Sequence, residues 1–220
     1  MAAVVAVAEQ ELDSKKQLIK KIKYLQKMKK GALITIAIVV AILLWGVTGY
    51  NSLVGLEESV NNQWSQVETQ YQRRSDLIPN LVNTVKGYAT HEKSTLTEVV
   101  EARSKATQMT VDPRTLTPEK LAEFQQVQGE LSSALGKLLA IRENYPDLKA
   151  NDQFIALQAQ LEGTENRITV ARGNFNNSSK EYNVKIRRFP KNILAAIFGF
   201  DKRPYFEADV GSERAPQVEF

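Results

Sequence analysis

The residues able to do chemistry are few. His91 is the single histidine of the 220-residue chain, and there is no cysteine. A two-metal centre in a helical protein takes Glu-x-x-His pairs from two helices, which one histidine beside Glu92 cannot supply. Without cysteine, thiolate zinc sites and a disulfide framework are excluded. There is no Gly-x-Ser-x-Gly elbow, phosphate loop or dinucleotide fingerprint, which leaves only a lone-carboxylate or hydroxyl mechanism for an enzyme. What remains is two concentrations of charge. One is Arg73-Arg74-Ser75-Asp76, with Asn80 a turn beyond; the other is Glu162-Gly163-Thr164-Glu165-Asn166-Arg167, with Arg172 following. Carboxylates and guanidinium groups near apolar stripes form ion pairs across helix faces, or else a ligand site around Arg73, Asp76, Glu165 and Arg172. No metal, no cofactor and no enzymatic activity is expected.

These residues sit on helices. Leu53, Leu56, Val60, Trp64, Val67 and Tyr71 recur every three or four positions, the period of one helix face. Leu77-Ile78-Pro79 then predicts a turn or sharp kink, with Asp76 as an N-cap. A second helix carries Leu81, Val85, Tyr88, Leu96, Val99 and Ala106 and stops at Val111-Asp112-Pro113-Arg114. Thr117-Pro118 is an N-cap followed by a first-turn proline, and Leu121, Phe124, Val127, Leu131, Leu135, Leu138 and Ile141 follow on one face. Tyr145-Pro146-Asp147 closes that helix. The fourth, from about Asn151 to Arg188, carries Phe154, Leu157, Leu161, Ile168, Phe175, Tyr182 and Ile186 and ends before Phe189-Pro190. No alternating apolar and polar run competes. The expected fold is all-α: an N-terminal transmembrane helix, then an antiparallel four-helix bundle of long helices in up-down-up-down order.

The transmembrane helix is Gly31 to Tyr50, an uncharged run that covers roughly 30 Å at a helical rise, about one hydrocarbon core. Trp45 and Tyr50 lie toward its far end, where amphipathic rings favour the headgroup level. Residues 1 to 30 hold eight Lys against Glu9, Glu11 and Asp13, a net of +5; the rest of the chain sums to −1, giving the overall +4. A basic patch for nucleic acid is therefore not expected on the folded domain. Lys16, Lys20, Lys23, Lys27 and Lys30 stack on one helical face, able to lie at an anionic leaflet or simply to orient the span by the positive-inside rule. Either way the N-terminus is expected in the cytoplasm and the bundle on the opposite, periplasmic side. The chain thus divides into a basic arm (1–30), a span (31–50), a helical bundle (51–190) and a C-terminal apolar segment and tail (191–220). Ile193, Ile197, Phe198 and Phe200 make that last segment an interfacial patch, a partner surface, or a flap folded back on the bundle.

Several blocks together resemble one family. They are Tyr50-Asn51-Ser52-Leu53-Val54; Gln72-Arg73-Arg74-Ser75-Asp76-Leu77-Ile78-Pro79-Asn80-Leu81-Val82; and Val85-Lys86-Gly87-Tyr88-Ala89 with His91-Glu92. Further on come Glu143-Asn144-Tyr145-Pro146-Asp147-Leu148-Lys149, Leu161 through Ile168, Arg188-Phe189-Pro190, and Phe198-Gly199-Phe200 through Ala208. The combination, spanning residues 45 to 220, is similar to the LemA family of bacterial membrane-anchored proteins. That resemblance implies a single-pass inner-membrane protein with an antiparallel helical bundle and no established catalytic activity. It assigns nothing to residues 1 to 30, because relatives usually begin a few residues before the span. The expected function is a non-enzymatic, self-associating scaffold in contact with membrane lipid and other membrane proteins. The alternative is a sensing accessory subunit of a membrane protease or signalling complex.

Overall fold

The computed structural model describes residues 2–89 and 91–207, and the side-chain surroundings of these except for residues 2–12 and 25–31. All described regular structure is helical. Six α-helices run in order: α1 (Ala2–Tyr88), α2 (Lys93–Gln108), α3 (Pro118–Ala140), α4 (Pro146–Lys149), α5 (Asp152–Arg187) and α6 (Lys191–Phe198). Short 3-10 turns precede α3 and follow it. The chain divides into two compact units, Met1–Asn51 and Ser52–Phe220, with α1 contributing to both.

In the first unit the stretch from Ala32 is long and apolar enough to cross a membrane. Its large side chains, from Leu33 to Val47, are exposed, unlike those of a core helix. The Thr48 hydroxyl is met locally: Oγ1 donates to the Leu44 carbonyl at 2.9 Å and to the Trp45 carbonyl at 3.1 Å. In hydrocarbon such a back-bond replaces the water that the group lacks. Lys16, Lys20 and Lys23 are exposed along α1, whereas the side chains of Lys27, Lys30 and Gly31 lie outside the described residues.

The second unit has two cores. An aromatic one joins Trp64 and Tyr71 of α1, Phe124 of α3, Phe175 and Tyr182 of α5 and Phe206. Trp64 is fully buried, 5.3 Å from the Phe124 ring, 5.5 Å from Phe175 and 5.9 Å from Phe206. Ring pairs of this kind contribute about 0.5–1.5 kcal/mol each beyond their area. The other core is aliphatic, with Ile78, Leu81 and Val85 of α1 meeting Val99 of α2, Leu131 and Leu138 of α3, and Leu157 and Leu161 of α5.

Pro79 does not break α1. The helix continues through it to Tyr88, so Leu81, Val85 and Tyr88 belong to α1, Asp76 is no N-cap, and the first helix boundary comes at the end of α1, before α2 starts at Lys93. Pro79 has no N–H to give the Ser75 carbonyl one turn back. Arg103 of α2 supplies the donor instead, its Nε–H reaching that oxygen at 2.9 Å. The proline's local defect is thus met by a neighbouring helix. α3 stops at Ala140, earlier than the Tyr145-Pro146-Asp147 punctuation, because a 3-10 turn and α4 fill the interval. The cap expected at Thr117 is present, its Oγ1 accepting from Lys120 N–H, and Asn151 caps α5 in the same way through Oδ1 and Phe154 N–H.

After α5 the chain turns into α6, which buries Leu194 and Ala195 in the aromatic core and leaves Ile193, Ile197 and Phe198 exposed and Phe200 half-buried. The Lys191 ammonium donates to Ser52 Oγ at 2.7 Å, bringing α6 beside the first residue of this unit. Residues 201–207, outside any helix, then follow as a strap bonded to α5.

Candidate functional site

Arg74 is the polar centre of the second unit. It occupies the helical position between Tyr71 and Ile78, so the same three- and four-residue period that buries those residues buries Arg74, which is 1% exposed. Burying a guanidinium is costly unless its donors are met, and here the two terminal nitrogens are met while Nε finds no hydrogen-bond partner among the described residues. Nη1 donates to Glu165 Oε1 and Ser132 Oγ, both at 2.7 Å; Nη2 donates to Gln128 Oε1 at 2.6 Å and to the Gln128 carbonyl at 3.2 Å. Its carbon end lies 5.1 Å from the Tyr71 ring centroid. The layer ties α1 to α3 and α5 at the boundary between the aromatic and aliphatic cores. Its chemistry is that of a register pin: a charged fork whose partners come from other helices fits at one height only.

The other motif residues are dispersed. Arg172 shares the shallow recess of Arg74, Ser132 and Glu165, stacks 4.9 Å from the Phe206 ring and donates to the Glu207 carbonyl at 3.0 Å. Arg73 and Asp76 are exposed and line a different groove of about 650 Å³ together with Ser65, Glu68, Thr107 and Phe124. Asp76 there accepts from Gln72 Nε2 at 2.7 Å. Ser75, 4% exposed, also lines it, and its Oγ finds no hydrogen-bond partner among the described residues. Desolvation raises the Glu68 carboxyl above the usual carboxylate range. Asn80 and Asn166 are exposed, Asn166 beside Gln66 and Gln70 in a smaller recess. His91 is exposed at the turn before α2, and no three Asp, Glu or His side chains gather as a metal site among the described residues.

The strap is the feature that sequence patterns did not reveal. Two asparagines seven residues apart on α5 each clamp a main-chain unit at both ends. Asn183 Nδ2 donates to the Arg203 carbonyl at 2.8 Å while its Oδ1 accepts from Arg203 N–H at 2.9 Å. Asn176 does the same for Phe206, at 2.9 and 2.8 Å. Arg203, nearly buried, donates to the Arg114 carbonyl at 2.8 Å and pairs with Glu57 at 2.6 Å. Burial, with the Glu57 and Asp201 carboxylates and against Arg203, pushes the neighbouring Tyr182 phenol up to about 12. The available signal was Asn at positions that continue an apolar helix face, since each amide enclosed there demands a partner.

Class follows from these features: an all-helical protein carrying one apolar helical stretch of membrane-crossing length, with its buried charge spent on holding helices in register. The LemA family pattern matches residues 63–220, and the chain belongs to the LemA family. Among its relatives, Magnetosome protein MamQ 2 of Paramagnetospirillum magneticum is 27% identical over 191 residues, covering 79% of this chain and 70% of that protein. Magnetosome protein MamQ of Magnetospirillum gryphiswaldense is 29% identical, over 71% of this chain and 64% of its own length. Protein LemA of Metamycoplasma hominis is 26% identical, over 66% and 63% respectively.

Proposed function

We propose that this chain is a non-catalytic, single-pass protein of a bacterial inner membrane that self-associates as a scaffold. In this reading residues 31–50 cross the bilayer, the Lys-rich arm 1–30 stays in the cytoplasm, and residues 51–190 form an antiparallel four-helix bundle in the periplasm, followed by the segment 191–220. The observation that carries it is the exposed, uncharged face of α1 from Leu33 to Val47, which water would not tolerate. Contacts support the antiparallel order. Trp64 and Arg74 meet Phe124 and Gln128 in rising order on α3, but Phe175 and Glu165 in falling order on α5. Along α2, Glu98 pairs with Lys137 and Lys105 with Glu130, so α2 falls as α3 rises. Long helices with continuous surfaces supply the area that side-by-side packing of copies needs.

The test uses full-length protein. It should remain in membranes through alkaline extraction, single cysteines at Ser14 and Ser212 should label from opposite sides, and particles in detergent should contain several copies. Release by alkali would refute anchoring, labelling from one side would refute the topology, and uniform monomers would refute the scaffold. A second reading, a sensing accessory subunit, is favoured by the groove beside Ser75 and the unpartnered hydroxyl in its wall. It expects a heterologous membrane partner in fixed ratio on purification.

A further inference from the structure

Exposed large apolar side chains in the second unit come one at a time, as on most soluble surfaces, except around α6. Ile193 and Ile197 stand one turn apart on α6 and are 47% and 67% exposed, and Phe189, in the turn just before α6, is 81% exposed, while Leu194 and Ala195 on the other side of α6 are buried. Phe198 adds to the outward group. Around this ridge the chain is basic: Lys185, Arg187, Arg188, Lys191 and Lys202 stand against Asp201 alone between residues 185 and 202. An apolar ridge bordered by cations is the composition of a helix that lies in a headgroup layer, its side chains among acyl tails and its cations on lipid phosphates.

Location supports the same occupant. The Lys191 ammonium is bonded to Ser52, two residues after Tyr50 at the end of the uncharged stretch. Two residues of chain reach at most about 7 Å, so Ser52 and the Lys191 ammonium bonded to it stay within headgroup range of that end whatever angle the chain takes between them, and α6 lies one lysine side chain further off. A phospholipid layer is about 5–8 Å deep in headgroups on each face of its hydrocarbon core. Charge, apolarity and tether agree on one partner.

We infer that α6 is a second membrane contact, in which Phe189, Ile193 and Ile197 enter the phospholipid headgroup region beside the span and the surrounding Lys and Arg side chains engage lipid phosphates. The inference rests on the reading of residues 31–50 as a span. It converts a single-helix anchor, free to swivel, into a two-point one that fixes how the domain stands on the bilayer.

The cysteine-free background allows the test in the full chain, reconstituted in vesicles of neutral and anionic phospholipid. An environment-sensitive fluorophore is placed singly at Ile197→Cys, at Val40→Cys in the middle of the span, and at Val170→Cys on the exposed face of α5, and each is challenged with lipids carrying a shallow or deep quencher. The Ile197 probe is expected to be blue-shifted relative to the Val170 probe and to lose fluorescence to the shallow quencher, more so as the anionic fraction rises. The Val40 probe should be quenched from the deep position. If Val40 is quenched while Ile197 behaves like Val170, the α6 contact is wrong and the span stands. A blue-shifted Ile197 probe that no lipid quencher reaches means that protein covers the ridge, which also overturns the lipid assignment. If Val40 escapes quenching, the anchor reading fails first.

Discussion

The bond from Arg103 to the Ser75 carbonyl makes a quantitative prediction. Pro79 leaves that oxygen without its helical donor, and Arg103 Nε meets it at 2.9 Å in a partly buried setting. A hydrogen bond from a charged donor contributes about 1.5–3 kcal/mol, so Arg103→Ala should cost about 2 kcal/mol, or about 4–8 °C in Tm for a domain of this size. Pro79→Ala supplies an N–H one turn beyond Ser75 and removes the ring's clash with its carbonyl, so it should by itself raise stability. In that background the carbonyl has a second donor. Arg103→Ala should then cost only about 0.5 kcal/mol, the residue of lost packing, giving a coupling of about 1.5 kcal/mol. The four proteins are compared by urea and thermal unfolding in one detergent, followed by far-ultraviolet circular dichroism. If Arg103→Ala costs the same with Pro79 in place as in the Pro79→Ala background, within about 0.5 kcal/mol, the exchange of donors is refuted.

Other outcomes are expected from the same contacts. Arg74→Met should destabilise by about 3 kcal/mol by stranding the buried Gln128 amide, and Arg74→Met with Gln128→Leu should recover part of that, as seen in denaturant midpoints. Asn183→Ala removes both bonds to Arg203 and should cost about 2 kcal/mol and open residues 201–207 to limited proteolysis before the rest of the domain. The Tyr182 phenol is raised from 10.0 to about 12 in the folded chain, so its contribution is complete below pH 10 and is lost as pH climbs from 10 towards 12. Tyr182→Phe should flatten that alkaline fall, and should be nearly neutral at pH 7 because the hydroxyl is without a hydrogen-bond partner among the described residues.

Helix class, the cap at Thr117 and the stripes of α3 and α5 were legible because each depends on neighbours within a turn or two. Of the two readings at Pro79, a turn or a sharp kink, the turn fails for the same reason. A local rule sees only the missing N–H, and the donor that offsets it sits on another helix. Arg74 was recognisable as one of a charged pair, but choosing it over Arg73 required continuing the stripe Val60, Trp64, Val67, Tyr71 through to Ile78, whose next member is Arg74. The strap escaped because an irregular segment held through its main chain has no periodicity of its own. Only Asn176 and Asn183, one residue beyond Phe175 and Tyr182 on the same face, pointed to it.

The aromatic core also constrains the order of events in synthesis. Trp64 is among the earliest residues of the second unit and Phe206 among the last described, yet the two rings stack. A nascent chain can wind its helices and deliver its apolar stretch to the bilayer, but it cannot seal this core until translation has passed residue 206. Until then the indole waits open, and the growing chain offers a hydrophobic slot to any chaperone or sister chain that arrives first.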